Sequence, residues 1–145
     1  MYEIVTDIEI KASPAQVWHA LTDFQSYPRW NPSIRTIEGT AAKGQKLKVL
    51  FQPDGAFGMK FSAVVIASVL EKEFRWMGCL LFPAIFSGEH YFLIQPFAPN
   101  CSKLIHGERF SGLLSPIMQR LLAERNKVAY SAMNHALKAY VESKI

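Results

Sequence analysis

Residues 3–16, Glu-Ile-Val-Thr-Asp-Ile-Glu-Ile-Lys-Ala-Ser-Pro-Ala-Gln, decide how the chain begins to fold. Apolar and charged side chains alternate over Glu3–Lys11, which predicts a half-buried β-strand. Ser13 can then cap a helix that begins at Pro14, and Gln16 stands where the second half of a capping box belongs. This stretch therefore predicts a strand that leads directly into a short helix.

The chain from residue 34 to residue 112 has the pattern of an antiparallel meander. Runs rich in β-branched and aromatic residues alternate with turn formers, the last turn being Pro96–Cys101. Between the first strand and the meander, residues 24–32 are aromatic and contain two prolines, which predicts a second, very short helix or a turn. The predicted strands of the meander are Ile34–Glu38, Lys46–Gln52, Met59–Leu70, Phe74–Leu80, Ser87–Gln95 and Lys103–Ser111.

The C-terminal segment predicts one long helix. Ser115-Pro116 repeats the cap-and-proline pattern, and neither Pro nor Gly follows it. At 100° per residue the apolar side chains share one face, with Arg125 near its middle. The alanines on this face would leave a void against a curved sheet, although a tight helix–sheet contact is the alternative. This face comprises Leu114, Ile117, Met118, Leu121, Val128, Ala129, Ala132 and Ala136.

These elements predict an α+β fold in which a twisted antiparallel sheet curls around the long helix. The 145 residues fit one domain, 1–145. Half of the residues are apolar, which excludes disorder. No stretch is long and apolar enough for a membrane span. The excess of basic residues lies on the polar face of the last helix and forms no concentrated stripe, so no nucleic-acid partner is expected.

Other sequence features bear on compartment and chemistry. The acidic residues at the N-terminus do not fit a secretory signal, so we expect a cytoplasmic protein with reduced thiols at Cys79 and Cys101. Metal-ligand spacing, nucleophile-elbow and phosphate-loop motifs are not present in the sequence, so we expect neither a metal nor a cofactor. His19 and His135 are expected to be surface or satisfied histidines.

At this point the chain resembles the START / birch-pollen-allergen superfamily (SRPBCC), in its polyketide cyclase/dehydrase-like branch. The resemblance implies a helix-grip fold: a seven-stranded curved antiparallel sheet around a long C-terminal helix, with two short helices between strands 1 and 2 and a hydrophobic cavity inside. The segments that carry the resemblance are Ile8–Pro14 with Val17-Trp18, Leu21–Pro32, Phe74–Trp76, Gly88–Phe92, Glu108–Gly112 and Met133–Lys138. The resemblance transfers no catalytic residue.

Strand parity selects the polar residues that would face such a cavity. His90 shares a face with Phe92, and His106 and Glu108 share one with Phe110, so all five point inward if the aromatic rings do. With Arg125, the ionisable groups could anchor a ligand, Arg125 binding an oxyanion and His90 or His106 moving a proton. Alternatively, Arg125 and Glu108 satisfy each other. The full predicted cavity set is Trp76, Phe86, His90, Phe92, His106, Glu108, Phe110, Leu121, Arg125, Val128 and Ala132.

Three further predictions concern the rim and the surface. Tyr27 and Trp30 could sit at the cavity entrance. Residues 53–59 and 80–86 suit mobile lips, or a surface that contacts a membrane or another subunit. Tyr91, Leu93 and Ile105 share the outer face of the sheet and could support a homodimer.

We expect first a module that binds a small hydrophobic ligand, such as a lipid, polyketide or aromatic compound. The alternative is a polyketide cyclase/dehydratase-type enzyme, with His90, His106 and Arg125 as its catalytic candidates. A protein that binds a partner through the apolar loops is the third hypothesis.

Overall fold

The computed structural model describes residues 2–53, 57–80 and 82–145, without the side chain of residue 80. Within these residues the chain forms one seven-stranded sheet, one long helix and three short helical segments. The elements are β1 (Tyr2–Ile10), α1 (Pro14–Thr22), a 3₁₀ turn (Phe24–Ser26), α2 (Tyr27–Trp30), β2 (Ile34–Glu38), β3 (Lys46–Phe51), β4 (Met59–Val69), β5 (Glu73–Leu80), β6 (Phe86–Ala98), β7 (Cys101–Ser111) and α3 (Ser115–Glu142).

The sheet is antiparallel throughout, in the order β1-β7-β6-β5-β4-β3-β2. Register shifts interrupt β4 between Val65 and Ala67 and β2 between Ile34 and Thr36, and such bulges bend a strand. The segment from α1 to α2 connects the two edge strands, β1 and β2, while α3 lies against the sheet. The predicted helix-grip architecture is confirmed.

The capping box at α1 forms as predicted. The Gln16 backbone N–H donates to Ser13 Oγ at 3.2 Å, and the Ser13 N–H donates to Gln16 Oε1 at 2.8 Å. At α3 the prediction of the same device is wrong, because Ser115 is already helical and its side chain caps nothing. Backbone bonds hold this turn instead: the N–H groups of Leu113 and Leu114 donate to the carbonyls of residues 84 and 85.

The predicted apolar face of α3 is wrong at four of its eight positions, although Ala129 is buried and Ala136 packs against the core. Ile117, Leu121 and Val128 are exposed by 58%, 67% and 68% of their surface, and Ala132 is exposed as well. The reason is that two buried positions on the true inner face are asparagines, which a ranking by hydropathy assigns to solvent. The buried residues of α3 are Ser115, Asn126, Ala129, Tyr130, Met133, Asn134, Leu137 and Val141.

Side chains fill one end of the interface between the sheet and α3. Met133 and Leu137 of the C-terminal half of α3 are almost fully buried in a cluster that also holds Phe74 and Phe92. Tyr27 and Trp30 belong to this core: the Tyr27 hydroxyl donates to the Leu21 carbonyl at 2.6 Å, and Trp30 stacks on Tyr140. The prediction that these two rings mark the cavity entrance is therefore wrong.

The outer face of the sheet is not the apolar patch that the sequence suggested. The guanidinium groups of Arg75 and Arg109 lie 4.7 and 5.7 Å from the centre of the Tyr91 ring, and the Tyr91 hydroxyl donates to Glu3 at 2.6 Å. Tyr91 is only 4% exposed, while Leu93 and Ile105 are half-buried. Charged groups thus cover the aromatic centre of the predicted dimer surface.

The predicted turn at Pro96–Cys101 is present but shorter than expected: β6 continues to Ala98, which pairs with Cys101, and the turn comprises residues 99 and 100. Pro96 is tolerated there because β5 ends its pairing at Leu93, so its missing N–H lies beyond that neighbour. In the described part of the chain, no helix has both the length and the apolar character needed to cross a membrane.

Candidate functional site

A cavity of about 210 Å³ lies between the sheet and the N-terminal half of α3, at the end of the helix–sheet interface that side chains do not fill. Its wall is mostly aromatic and aliphatic, with a few polar groups. The residues that line it are Ile34, Phe51, Pro53, Phe57, Met59, Phe61, Trp76, Gly78, Cys79, Phe86, Gly88, His90, Glu108, Phe110, Met118, Leu122, Arg125, Asn126 and Tyr130.

Stacked rings make the sheet side of the cavity rigid. Trp76 and His90 stand opposite each other on β5 and β6, and their rings are parallel to within 2° at 4.6 Å. Phe86 and Phe110 stack in the same manner at 5.5 Å. Because aromatic side chains have few rotamers and these are packed, the wall presents a fixed apolar surface.

The helix side of the cavity comes from one stripe of α3. Met118, Leu122, Asn126 and Tyr130 are spaced by four residues and therefore lie on one face of the helix. Arg125 stands beside this stripe and is exposed. With Phe57, which is 98% exposed, it belongs to the mouth of the cavity rather than to its interior.

Three polar side chains meet at the buried end of the cavity. The Tyr130 hydroxyl donates to the Glu108 carboxylate, and His90 Nδ1 lies 3.9 Å from Glu108 Oε1. A Cβ at Gly88 would come within 2.5 Å of Glu108 Oε2, so the glycine makes room for the carboxyl group. These residues lie on β6, β7 and α3, and the sheet register brings His90 directly opposite Glu108.

Behind His90 runs a continuous chain of buried hydrogen bonds. His90 Nε2 is 2.7 Å from His106 Nε2, and His106 Nδ1 is 2.7 Å from Asn134 Oδ1. Asn134 Nδ2 donates to Thr6 Oγ1 at 2.8 Å, and the Thr6 hydroxyl donates to the His106 carbonyl at 2.7 Å. Strands β1, β6 and β7 and helix α3 are thereby joined through one network.

Burial shifts the pKa values of Glu108, His106 and His90. It raises the pKa of Glu108 to about 7, against the opposing effect of the Tyr130 hydrogen bond. Burial lowers the pKa of His106 to about 4. The pKa of His90 lies well below its ordinary value, first because the ring is buried and second because His106 is its neighbour. Near neutral pH both imidazoles are therefore uncharged, while Glu108 lies close to the midpoint of its titration.

The structure places six predicted residues in the cavity wall: Trp76, Phe86, His90, Glu108, Phe110 and Arg125. Phe92 and His106 point inward but lie behind the wall, among the buried residues. Leu121, Val128 and Ala132 are exposed, and their prediction as cavity residues is wrong because the inner face of α3 was misassigned. His19 and His135 are exposed, as expected.

The predicted pairing of Arg125 with Glu108 does not form within the described residues. Glu108 instead faces Tyr130 and His90, while Arg125 remains at the mouth. Sequence reasoning missed Thr6, Asn126, Tyr130 and Asn134. The last three recur at intervals of four, and this polar stripe on a helix predicted to be half-buried was the available signal.

Two further expectations concern loops and metals. Part of each predicted lip, residues 54–56 and 81, lies outside the described residues, while Phe57 and Phe82 beside them are exposed. Across residues 2–53, 57–80 and 82–145, His, Cys, Asp and Glu side chains form no group of three or more that could hold a metal ion.

Comparison with known proteins agrees with this architecture. Residues 1–142 match the sequence profile of the family described as polyketide cyclase / dehydrase and lipid transport. No curated protein matches the sequence.

Solved structures of similar fold come from several organisms. A Mesorhizobium loti protein superposes with a TM-score of 0.78 at 19% identity, over 99% of each chain. A START superfamily protein from Mycobacterium smegmatis gives 0.74 at 20% identity over 100% of both chains. The Zhui aromatase/cyclase from a Streptomyces species gives 0.75 at 14% identity, over 97% of this chain and 93% of that one. At these identities the likeness shows the fold.

Proposed function

The chain belongs to the polyketide cyclase / dehydrase and lipid transport family, and we propose that it binds a small ring compound in the cavity beneath α3. The observation that carries this proposal is the cavity of about 210 Å³ with its stacked aromatic wall. A cavity of about 150 Å³ accepts benzene, so this one suits one substituted ring or two fused rings. A bulky sterol exceeds it.

The expected affinity is modest. Small ligands gain between about 0.3 and 1.5 kcal/mol per non-hydrogen atom, so a fused bicyclic ligand at roughly 0.5 kcal/mol per atom gains about 5–6 kcal/mol. That range corresponds to a dissociation constant on the order of 10⁻⁴ M. Most of this free energy comes from burial of apolar ligand surface against Trp76, Phe86 and Phe110.

Two adjacent leucines on α3 allow a matched test. Leu122 lines the cavity and Leu121 is 67% exposed, so Leu122→Trp fills the cavity while Leu121→Trp adds the same ring outside it. We expect Leu122→Trp to weaken binding of 2-naphthol, followed by fluorescence, by at least tenfold, and Leu121→Trp to leave it unchanged. Equal binding by both variants would place the ligand elsewhere.

A second candidate function rests on the His90–Glu108 pair in the cavity wall. An uncharged imidazole and a carboxyl group that titrates near neutral pH are suited to proton transfer, as a cyclase/dehydratase-type enzyme requires. Turnover of a poly-β-ketone that His90→Phe abolishes, with ligand binding retained, would favour this function. In that reaction His106 orients His90, and Arg125 is confined to the mouth.

Cytoplasmic location and a homodimer remain predictions. Fractionation of cells that express the protein would test the first. Sedimentation of the protein and of Leu93→Glu would test the second, with ligand binding as the control that the variant is folded.

A further inference from the structure

We propose that the hydrogen-bonded side chains Thr6, Asn134 and His106 orient the His90 ring so that its Nδ1 atom accepts a hydrogen bond from the ligand. The cavity therefore selects a ring compound that carries a hydroxyl group, a phenol or an enol, over the matching ether, hydrocarbon or carboxylate. This inference rests on the proposed binding function and names the chemical class of its ligand.

The donors and acceptors of this network can be assigned in sequence, starting from the backbone carbonyl of His106, which can only accept. The Thr6 hydroxyl proton is committed to the His106 carbonyl at 2.7 Å, so Thr6 Oγ1 must act as acceptor toward Asn134 at 2.8 Å. The atom of Asn134 that faces Thr6 is consequently its NH₂ group. Its Oδ1 atom is then the one that faces His106.

This orientation determines the tautomers of both histidines. Asn134 Oδ1 can only accept, so the proton of His106 is on Nδ1 and its Nε2 atom is unprotonated. His106 Nε2 must then accept from His90 Nε2 across their 2.7 Å contact. Since both buried imidazoles are neutral, His90 Nδ1 holds a lone pair and no proton.

The bare Nδ1 atom belongs to a residue of the cavity wall. Its neighbour Glu108 Oε1 lies 3.9 Å away, too far for a hydrogen bond, and already accepts from the Tyr130 hydroxyl. The parallel stack on Trp76 fixes the plane of the ring. His90 Nδ1 thus offers the ligand an acceptor at this edge of the cavity, which a hydroxyl group satisfies and a carboxylate does not.

Two other polar residues of the wall do not reverse this preference. The Asn126 amide on the α3 side can donate or accept, so it does not discriminate between the ligands. Arg125 attracts anions but is exposed at the mouth, where water screens its charge.

The binding test compares 2-naphthol with 2-methoxynaphthalene and 2-naphthoate, which share one ring system. We expect 2-naphthol to bind about five- to tenfold more tightly than the ether, since a single neutral hydrogen bond distinguishes them. His90→Phe keeps an aromatic ring over Trp76 and should remove this preference while the ether still binds. Equal binding of alcohol and ether, or tighter binding of 2-naphthoate, would overturn the inference and leave the binding function standing. Failure of all three probes to bind would instead refute the proposed function.

The tautomers can be read without any ligand, by long-range ¹H–¹⁵N correlation spectra of the histidine-labelled protein. We expect His106 protonated on Nδ1 and His90 protonated on Nε2, with the bare His90 Nδ1 signal shifting when 2-naphthol is added. A His90 ring protonated on Nδ1 would contradict the proposal. Asn134→Leu removes the acceptor of His106 Nδ1, so it should lose these tautomers together with the preference for the alcohol.

Discussion

Gly88 lies against the carboxyl group of Glu108: a Cβ at residue 88 would be 2.5 Å from Glu108 Oε2. The paired glycine on β5, Gly78, has ordinary space, since the nearest atom to its Cβ would be a Phe61 ring carbon at 3.4 Å. The two glycines face each other across β5 and β6 and both line the cavity, yet only one of them is required by a neighbouring side chain.

Gly88→Ala should therefore displace the Glu108 carboxyl group and break its hydrogen bond with Tyr130. We expect a loss of about 1–3 kcal/mol in the free energy of unfolding, the usual range for overpacking a buried site. Urea unfolding measures it. Gly78→Ala is the matched control, and an equal loss in both variants would show that the effect comes from the strand and not from Glu108.

Glu108→Gln should change how stability depends on pH. Burial raises the Glu108 pKa from 4.5 to about 7, so its stabilising contribution is complete below pH 4.5 and is lost as the pH rises through 7. The groups that face it are His90, Tyr130 and Tyr2. Relative to Glu108→Gln, the unmodified protein should lose on the order of 3 kcal/mol between pH 4.5 and 7.5. A difference that stays constant with pH would contradict the raised pKa.

His106→Gln should act in the opposite direction. Burial lowers the His106 pKa from 6.5 to about 4, so its contribution is present above pH 6.5 and is lost as the pH falls toward 4. The unmodified protein should therefore lose stability over this window more steeply than His106→Gln does. Thermal unfolding at pH 7, 5.5 and 4.5 measures the slopes. His135→Gln, at an exposed position, should follow the unmodified protein.

Ser13 and Ser115 both precede a proline at the start of a helix, but only Ser13 caps its helix. Ser13→Ala should cost about 1 kcal/mol in the free energy of unfolding, because the Gln16 backbone N–H loses its acceptor. Ser115→Ala should change it by less than half of that value. Denaturant titration of the two variants decides the point, and equal losses would refute the assignment of the caps.

Local patterns in the amino-acid sequence were enough to predict the order of the strands along the chain and the inward faces of β6 and β7. The alternation of His90, Phe92 and Ile94 on β6, and of Leu104, His106 and Phe110 on β7, is a local property with a period of two. All six side chains are buried in the structure. The capping box at Ser13 is equally local, since it needs only residues three apart.

The side of α3 that faces the cavity and the pairing of the polar groups depend on contacts between elements that are distant in the sequence. Asn134 is buried because it forms hydrogen bonds with Thr6 and His106, and Asn126 because it lines the cavity. A hydropathy pattern cannot represent a hydrogen-bond partner from another element. The contacts of Asn134 with Thr6 and His106 join residues 128 and 28 positions apart in the chain. Such bonds depend on the packing of β1, β7 and α3 in three dimensions, and no local spacing encodes them.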